Sequence, residues 1–205
     1  MAPDPRVLGQ ASDEVDGRFV LQRCVGGGSQ GWVWQALDTR RQTSAAVKLS
    51  PRESPAPNGA MARAGRFVGP NTPHVLRRGV TTQGHAFAVF SWLPGTDLDA
   101  LVAHGPLPLP AWTWVGCQIA RALADLHALA VIHGDVRLRN VRVVHDGARA
   151  DKAVLLDLDL ASEAGEVAAG QQTLHTRSPE LADGHAASVA SDLYALGCVL
   201  YWAAT

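Results

Sequence analysis

Asp135 and Asn140 stand five residues apart in His133-Gly134-Asp135-Val136-Arg137-Leu138-Arg139-Asn140, directly after an apolar helical run. A carboxylate and an amide at this spacing suit phosphoryl transfer: the carboxylate orients or deprotonates an attacking hydroxyl, and the amide oxygen holds a metal ion that bridges nucleotide phosphates. A polar turn uses the same residue types, so these eight residues alone leave both readings open. Upstream, Gly26, Gly28 and Gly31 fit G-x-G-x-x-G-x-V, ending on Val33. Glycines let backbone lie close over phosphates with N–H groups facing the charge. A hairpin turn makes the same demand, and Trp32-Val33-Trp34 reads as a strand rather than the helix a dinucleotide fingerprint requires. Lys48 sits inside the apolar run Ala45-Ala46-Val47-Lys48-Leu49, where a strand returning from the glycine loop brings it toward the α and β phosphates. An edge-strand charge is the alternative for that lysine.

These residues need elements to hold them. Between Ala111 and Ala130 the apolar positions Val115, Ile119, Ala122, Leu123, Leu126 and Ala130 recur at helical steps, with Gln118, Arg121 and Asp125 on another face. This predicts an amphipathic helix that delivers the chain into His133. Phe19-Val20-Leu21 predicts a short strand, and Phe87 to Phe90 a buried strand before a Pro94-Gly95 turn and a helix cap. Val141 to Val144 and Val154 to Leu156 predict two more strands, joined by a turn at Asp146-Gly147. They lead to Asp157-Leu158-Asp159, two acids at alternate positions that also suit a solvated turn.

Taken in order, these motifs resemble the eukaryotic-like Ser/Thr protein kinases, especially bacterial ones, from about Phe19 to Thr205. Further matches are Leu126-His127 before the Asp135 loop, Ser178-Pro179-Glu180 at the end of an activation segment, with Thr173 facing the catalytic loop, and Asp192 to Gly197 opening a buried central helix. The resemblance implies an α+β, two-lobed fold: a flexible leader over 1–15, a β-rich amino lobe over 16–92, and an incomplete helical carboxyl lobe over 93–205. It implies ATP and magnesium as cofactors and protein Ser/Thr hydroxyls as acceptors. Asp135, Lys48 and Arg137 become the catalytic set, and Asn140 and Asp157 the magnesium ligands. Gly26, Gly28, Gly31, Val33, Ala46 and Lys48 line the nucleotide, as do Phe90, Ser91 and Leu93 of the hinge. Phe90 guards the back of that pocket, and Asp97 contacts ribose.

The departures from the family point elsewhere. Active members pair the strand lysine with a helix glutamate, yet between Lys48 and His74 the only acid is Glu53, too close behind the strand. Gly59 to Phe67 makes a poor helix, with Arg63 near the expected acid position. Gly134 replaces the arginine that clamps a phosphorylated activation loop, Asp159 replaces a glycine, and Arg137 stands where the family places a lysine. A catalytically impaired pseudokinase that binds nucleotide or acts as a scaffold is therefore one alternative. A small-molecule phosphotransferase of the aminoglycoside-kinase type, with its similar His-Gly-Asp and Asp-Leu-Asp phrases, is another.

A formal net charge of -1 with interspersed signs gives no case for nucleic acid or a membrane surface. Cys24, Cys117 and Cys198 lie in apolar contexts and read as buried free thiols, with no zinc or disulfide spacing. The run from Leu193 to Thr205 is too short to span a bilayer and no signal peptide leads the chain, so a cytoplasmic protein is expected. Family members continue beyond the central helix and supply an arginine partner for the residue at Glu180. Its absence here predicts either a missing carboxyl-terminal region or self-association through exposed apolar surface.

Overall fold

A computed structural model describes residues 9–28, 31–50, 69–147, 149–158, 162–163 and 176–205. Among them, residues 9–50 and 74–93 form one compact unit, and residues 69–73 and 94–205 another.

The first unit is a six-stranded antiparallel sheet of β1 (Glu14–Val15), β2 (Phe19–Gly28), β3 (Gly31–Asp38), β4 (Thr43–Ser50), β5 (Val75–Val80) and β6 (Ala86–Ser91), in the order β1-β2-β3-β4-β6-β5. Alternation along the strands puts Trp34, Ala36, Ala45, Val47, Leu49, Phe87 and Val89 on one face, where they form a core with Phe19 and Leu21. Glu14 and Val15, expected in the leader, instead pair with Val20 and Phe19, and Val15 is buried. β5 was not predicted: Arg77 and Arg78 interrupt its apolar pattern, as suits its place at the edge of the sheet. Where β3 ends, Asp38 is 1% exposed and accepts from Arg18 Nε at 2.8 Å and Nη2 at 2.6 Å. That ion pair, helped by the Arg41 and Arg40 amides, holds the Asp38 carboxyl down at about 2 despite its burial.

The second unit opens with β7 (Gly95–Asp97) and α1 (Leu98–Val102), then α2 (Leu109–Ala128), the predicted amphipathic helix. Pro110 lies in the first turn of α2, where a missing N–H costs nothing, and Ala130 just beyond the helix turns the chain with φ 56°. β8 (Val131–Ile132) follows, and a 3₁₀ turn at Leu138–Asn140 leads into the hairpin β9 (Val141–Asp146) and β10 (Arg149–Leu155). β9 pairs with both β10 and β7, while β11 (Ser162–Glu163) pairs with β8. Residues 69–73 belong with this unit, not with the sheet as the expected boundaries had it, because Asn71 accepts from the Leu155 amide at 2.9 Å and donates to the Ala153 carbonyl at 2.8 Å.

The chain continues through α3 (Pro179–Ala182) into α4 (Val189–Ala204). Ser188 and Ser191 cap α4 reciprocally, a box with serine in place of the usual Glu or Gln. Leu98, Ile119, Leu123, Val141, Leu155, Leu196 and Val199 make the core, and Trp112 Nε1 donates to the Leu200 carbonyl at 2.7 Å. The opposite face of α4 exposes Leu193, Tyr194, Tyr201 and Trp202. Cys117 is exposed, contrary to the buried thiol expected, because it lies on the outer face of α2. No helix among the described residues is long and apolar enough to cross a membrane.

Candidate active site

Asp135 lies in the loop between β8 and the 3₁₀ turn and is only 6% exposed. Its Oδ2 accepts from Asn140 Nδ2 at 2.8 Å and lies 2.9 Å from Arg137 Nη2. The same Asn140 nitrogen donates to the Asp135 carbonyl at 2.8 Å. The turn at Leu138–Asn140 produces this contact by folding Asn140 back over the loop, with its N–H on the Arg137 carbonyl at 2.9 Å. Burial pushes the Asp135 carboxyl above its ordinary range, against the opposing pull of Arg137 and the Asn140 hydrogen bond. Burial also lowers the Arg137 guanidinium, which the Asp135 charge counters. A carboxylate raised in this way is a better proton acceptor, which is the property a general base needs.

The loop itself is held from α4. Asp192, 2% exposed, accepts from the His133 and Gly134 amides, each at 2.9 Å, and from His127 Nε2 at 2.8 Å. His133 is fully buried: Nδ1 accepts the Asp135 N–H at 3.2 Å, so Nε2 carries the proton and donates to the Leu156 carbonyl at 3.0 Å. Gly134 has φ 76°, a left-handed conformation that glycine takes without a Cβ penalty. Asp157 follows β10 with φ 63°, in the region aspartate tolerates better than most side chains. The Leu156 amide donates to the Asn140 carbonyl at 2.6 Å, so the backbone beside both expected metal ligands is joined.

In the first unit, register does the positioning. β4 lies between β3 and β6, so Lys48 is on an interior strand and not at an edge. Val33, Lys48 and Ala88 are direct neighbours across three strands, as are Gln35, Ala46 and Phe90. Val33, Ala46, Lys48 and Phe90 therefore share the face opposite the core. Ser91 pairs with Ala45 on the other face, and Leu93 follows the end of β6, so backbone is what these two offer to that side.

The glycine motif lies on the β2–β3 hairpin, with Gly26 opposite Val33 and Gly28 opposite Gly31. Gly31 has its own steric reason: its φ is 129°, and a Cβ would sit 2.2 Å from the Leu49 carbonyl oxygen. At Gly26 a Cβ would meet nothing within 4 Å. Asp97, expected at ribose, ends β7 and accepts from Arg142 Nη1 at 2.6 Å. Neither Arg142 nor His127 was singled out by sequence. Leu126-His127 carries no role as a phrase, and Arg142 stands inside the predicted strand Val141 to Val144 with nothing nearby in sequence to mark its partner. Asp159, Thr173, Glu53, Arg63 and the stretch Gly59 to Phe67 lie outside the described residues.

The donor set suits magnesium. With its amide nitrogen turned to Asp135, Asn140 is left with Oδ1, a hard oxygen ligand, and Asp157 supplies a carboxylate.

A family model described as Protein kinase domain matches residues 19–205. The chain belongs to the protein kinase family. It is 32% identical over 197 residues to serine/threonine-protein kinase PknH of Mycobacterium bovis, covering 90% of this chain and 32% of that protein. It is also 32% identical over 197 residues to PknE of Mycobacterium tuberculosis, covering 90% of this chain and 34% of that protein. With PknD of Mycobacterium tuberculosis it shares 33% identity over 200 residues, covering 90% of this chain and 29% of the relative. The chain thus spans about a third of the length of the curated relatives it matches. The two-lobed α+β fold class expected from sequence is that of this family.

Proposed function

We propose that this kinase domain transfers the γ-phosphate of ATP to Ser or Thr hydroxyls of proteins. The observation that carries the reading is the buried cluster of Asp135, Asn140 and Arg137 at the end of a loop fixed by Asp192. Asp135 accepts the hydroxyl proton and orients the oxygen for attack. Arg137 balances the Asp135 charge and offers its guanidinium to the transferred phosphoryl group. Lys48 anchors the α and β phosphates, and the backbone at Gly26, Gly28 and Gly31 lies over them. Val33, Ala46 and Phe90 pack against the adenine, Ser91 and Leu93 offer backbone groups to its edge, and Asp97 accepts from the ribose. Magnesium, held by Asn140 and Asp157, supplies charge neutralisation of the phosphates.

The acceptor class comes from the likeness to the mycobacterial serine/threonine-protein kinases. The cytoplasm, where ATP is abundant, is the proposed place of action. The exposed apolar face of α4 supports either self-association of the chain or cover by a carboxyl-terminal region. One sequence observation favours a pseudokinase as second reading: Glu53 is the only acid between Lys48 and His74, and it stands closer behind the strand in sequence than the family's helix glutamate does.

Incubation with labelled ATP, magnesium and a general protein substrate, beside Asp135→Ala, tests the first reading. Incorporation that vanishes in the variant is expected. Thermal stabilisation by ATP without any transfer selects the second reading. Transfer to aminoglycosides but not to proteins overturns both.

A further inference from the structure

Asp97 and Arg142 are direct neighbours across β7 and β9, so their side chains leave the small sheet on the same face. The guanidinium grips both ends of the short β7 strand: Nη1 donates to Asp97 Oδ1 at 2.6 Å and Nη2 to the Gly95 carbonyl at 2.8 Å. Asp97 Oδ2 accepts nothing among the described residues, and the Asp97 side chain is 40% exposed. One carboxylate oxygen of this partly exposed side chain is thus locked, while the other has no hydrogen-bond donor among the described residues.

We infer that Arg142 is a positioning residue for the sugar of the bound nucleotide, fixing Asp97 so that Oδ2 accepts from a ribose hydroxyl. The inference rests on the nucleotide reading above, which puts a sugar at Asp97. Two physical effects support it. An aspartate on an exposed strand end samples several rotamers, and a hydrogen bond to one oxygen selects the rotamer that presents the other. A lone carboxylate also repels a polyanionic ligand, whereas the Arg142 charge cancels that repulsion and leaves the acceptor in place. Val141 and Val143, the neighbours of Arg142, are buried in the core, so the strand that carries the guanidinium is anchored on its other face.

Binding of ATP and of 2′,3′-dideoxy-ATP, measured by titration calorimetry on the whole chain, tests this in wild type, Arg142→Met and Asp97→Ala. The wild type should prefer ATP by about threefold to tenfold, the worth of a hydrogen bond or so. Arg142→Met should weaken both nucleotides through the uncompensated Asp97 charge and ATP by more, erasing most of that preference, and Asp97→Ala should erase it fully. An Arg142→Met protein that keeps the preference, or binds both nucleotides more tightly, overturns the inference and leaves the nucleotide reading standing. If Asp97→Ala keeps the preference, the sugar does not meet Asp97 and the inference falls with that part of the reading. Wild-type protein that binds neither nucleotide overturns the nucleotide reading itself. Should Arg142→Met melt early, Arg142→Lys decides, because it keeps the charge but not the two-point grip: a reduced preference supports the inference and an unchanged one overturns it.

Discussion

Lys48 and Asp135 take their directions from different sources. Lys48 lies in the middle of a six-stranded sheet, where pairing with Val33 on one side and Ala88 on the other sets which face it leaves. Asp135 lies in a loop whose backbone is caught by a carboxylate fifty-seven positions later in the chain, Asp192, and whose side chain is caught by Asn140. In the sheet, many repeated backbone bonds share the task, so a single side chain is seldom decisive. In the loop a few buried polar groups carry all of it, and each leaves an unsatisfied partner when removed.

The largest expected effect is on the chemistry itself. Asp135→Asn should lower transfer by about a hundredfold to ten-thousandfold, read with labelled ATP, while ATP still raises the melting temperature. In the wild type, because burial holds the Asp135 carboxyl above its ordinary range, the acid limb of the rate profile should lie above the usual carboxylate range near 4 and be missing from the residual activity of the variant. The same raised carboxyl binds its proton more tightly folded than unfolded, so its contribution to stability is present at low pH and is lost as pH rises through its folded value.

Next in size, Asp192→Ala strips the acceptor from two amides and His127, and should cost about 3 kcal/mol in denaturant unfolding, with transfer falling as well. A loss under 1 kcal/mol would break the contrast with the sheet, since it would mean the loop holds itself.

Asp38→Asn probes the sheet's own buried carboxylate. It should lower the melting temperature by roughly 3–6 °C and leave nucleotide binding unchanged. Asp38 is depressed to about 2, so its contribution is complete above the unfolded carboxylate range and is lost as pH falls toward 2; the variant should lack that acid loss.

Smaller again is Gly134→Ala, about 1 kcal/mol for a Cβ at φ 76°. Gly26→Ala, where a Cβ meets open space, should stay within about 0.5 kcal/mol and shows whether that glycine matters only to a ligand.

What the sequence disclosed follows the same division. The α2 helix was legible because Val115, Ile119, Leu123 and Leu126 repeat at helical steps, and β3, β4 and β6 because apolar residues cluster in short runs. The Asp135 and Asn140 pair was legible because its partners are five residues apart. Arg18 with Asp38, Arg142 with Asp97, and Asn71 with Ala153 were not, since each joins residues 20, 45 and 82 positions apart, respectively, and no local pattern encodes such contacts. β5 and the serine capping box of α4 escaped because charge breaks the first and an uncommon residue fills the second.

The grip of Asp192 on the His133 and Gly134 amides has a consequence for exchange with heavy water. Loop amides ordinarily trade their protons quickly, but these two donate to a carboxylate that is 2% exposed and belongs to the α4 helix. They should retain protons as long as the first turns of α4 do, so that a stretch with neither helix nor strand geometry ages in deuterium oxide like part of a helix.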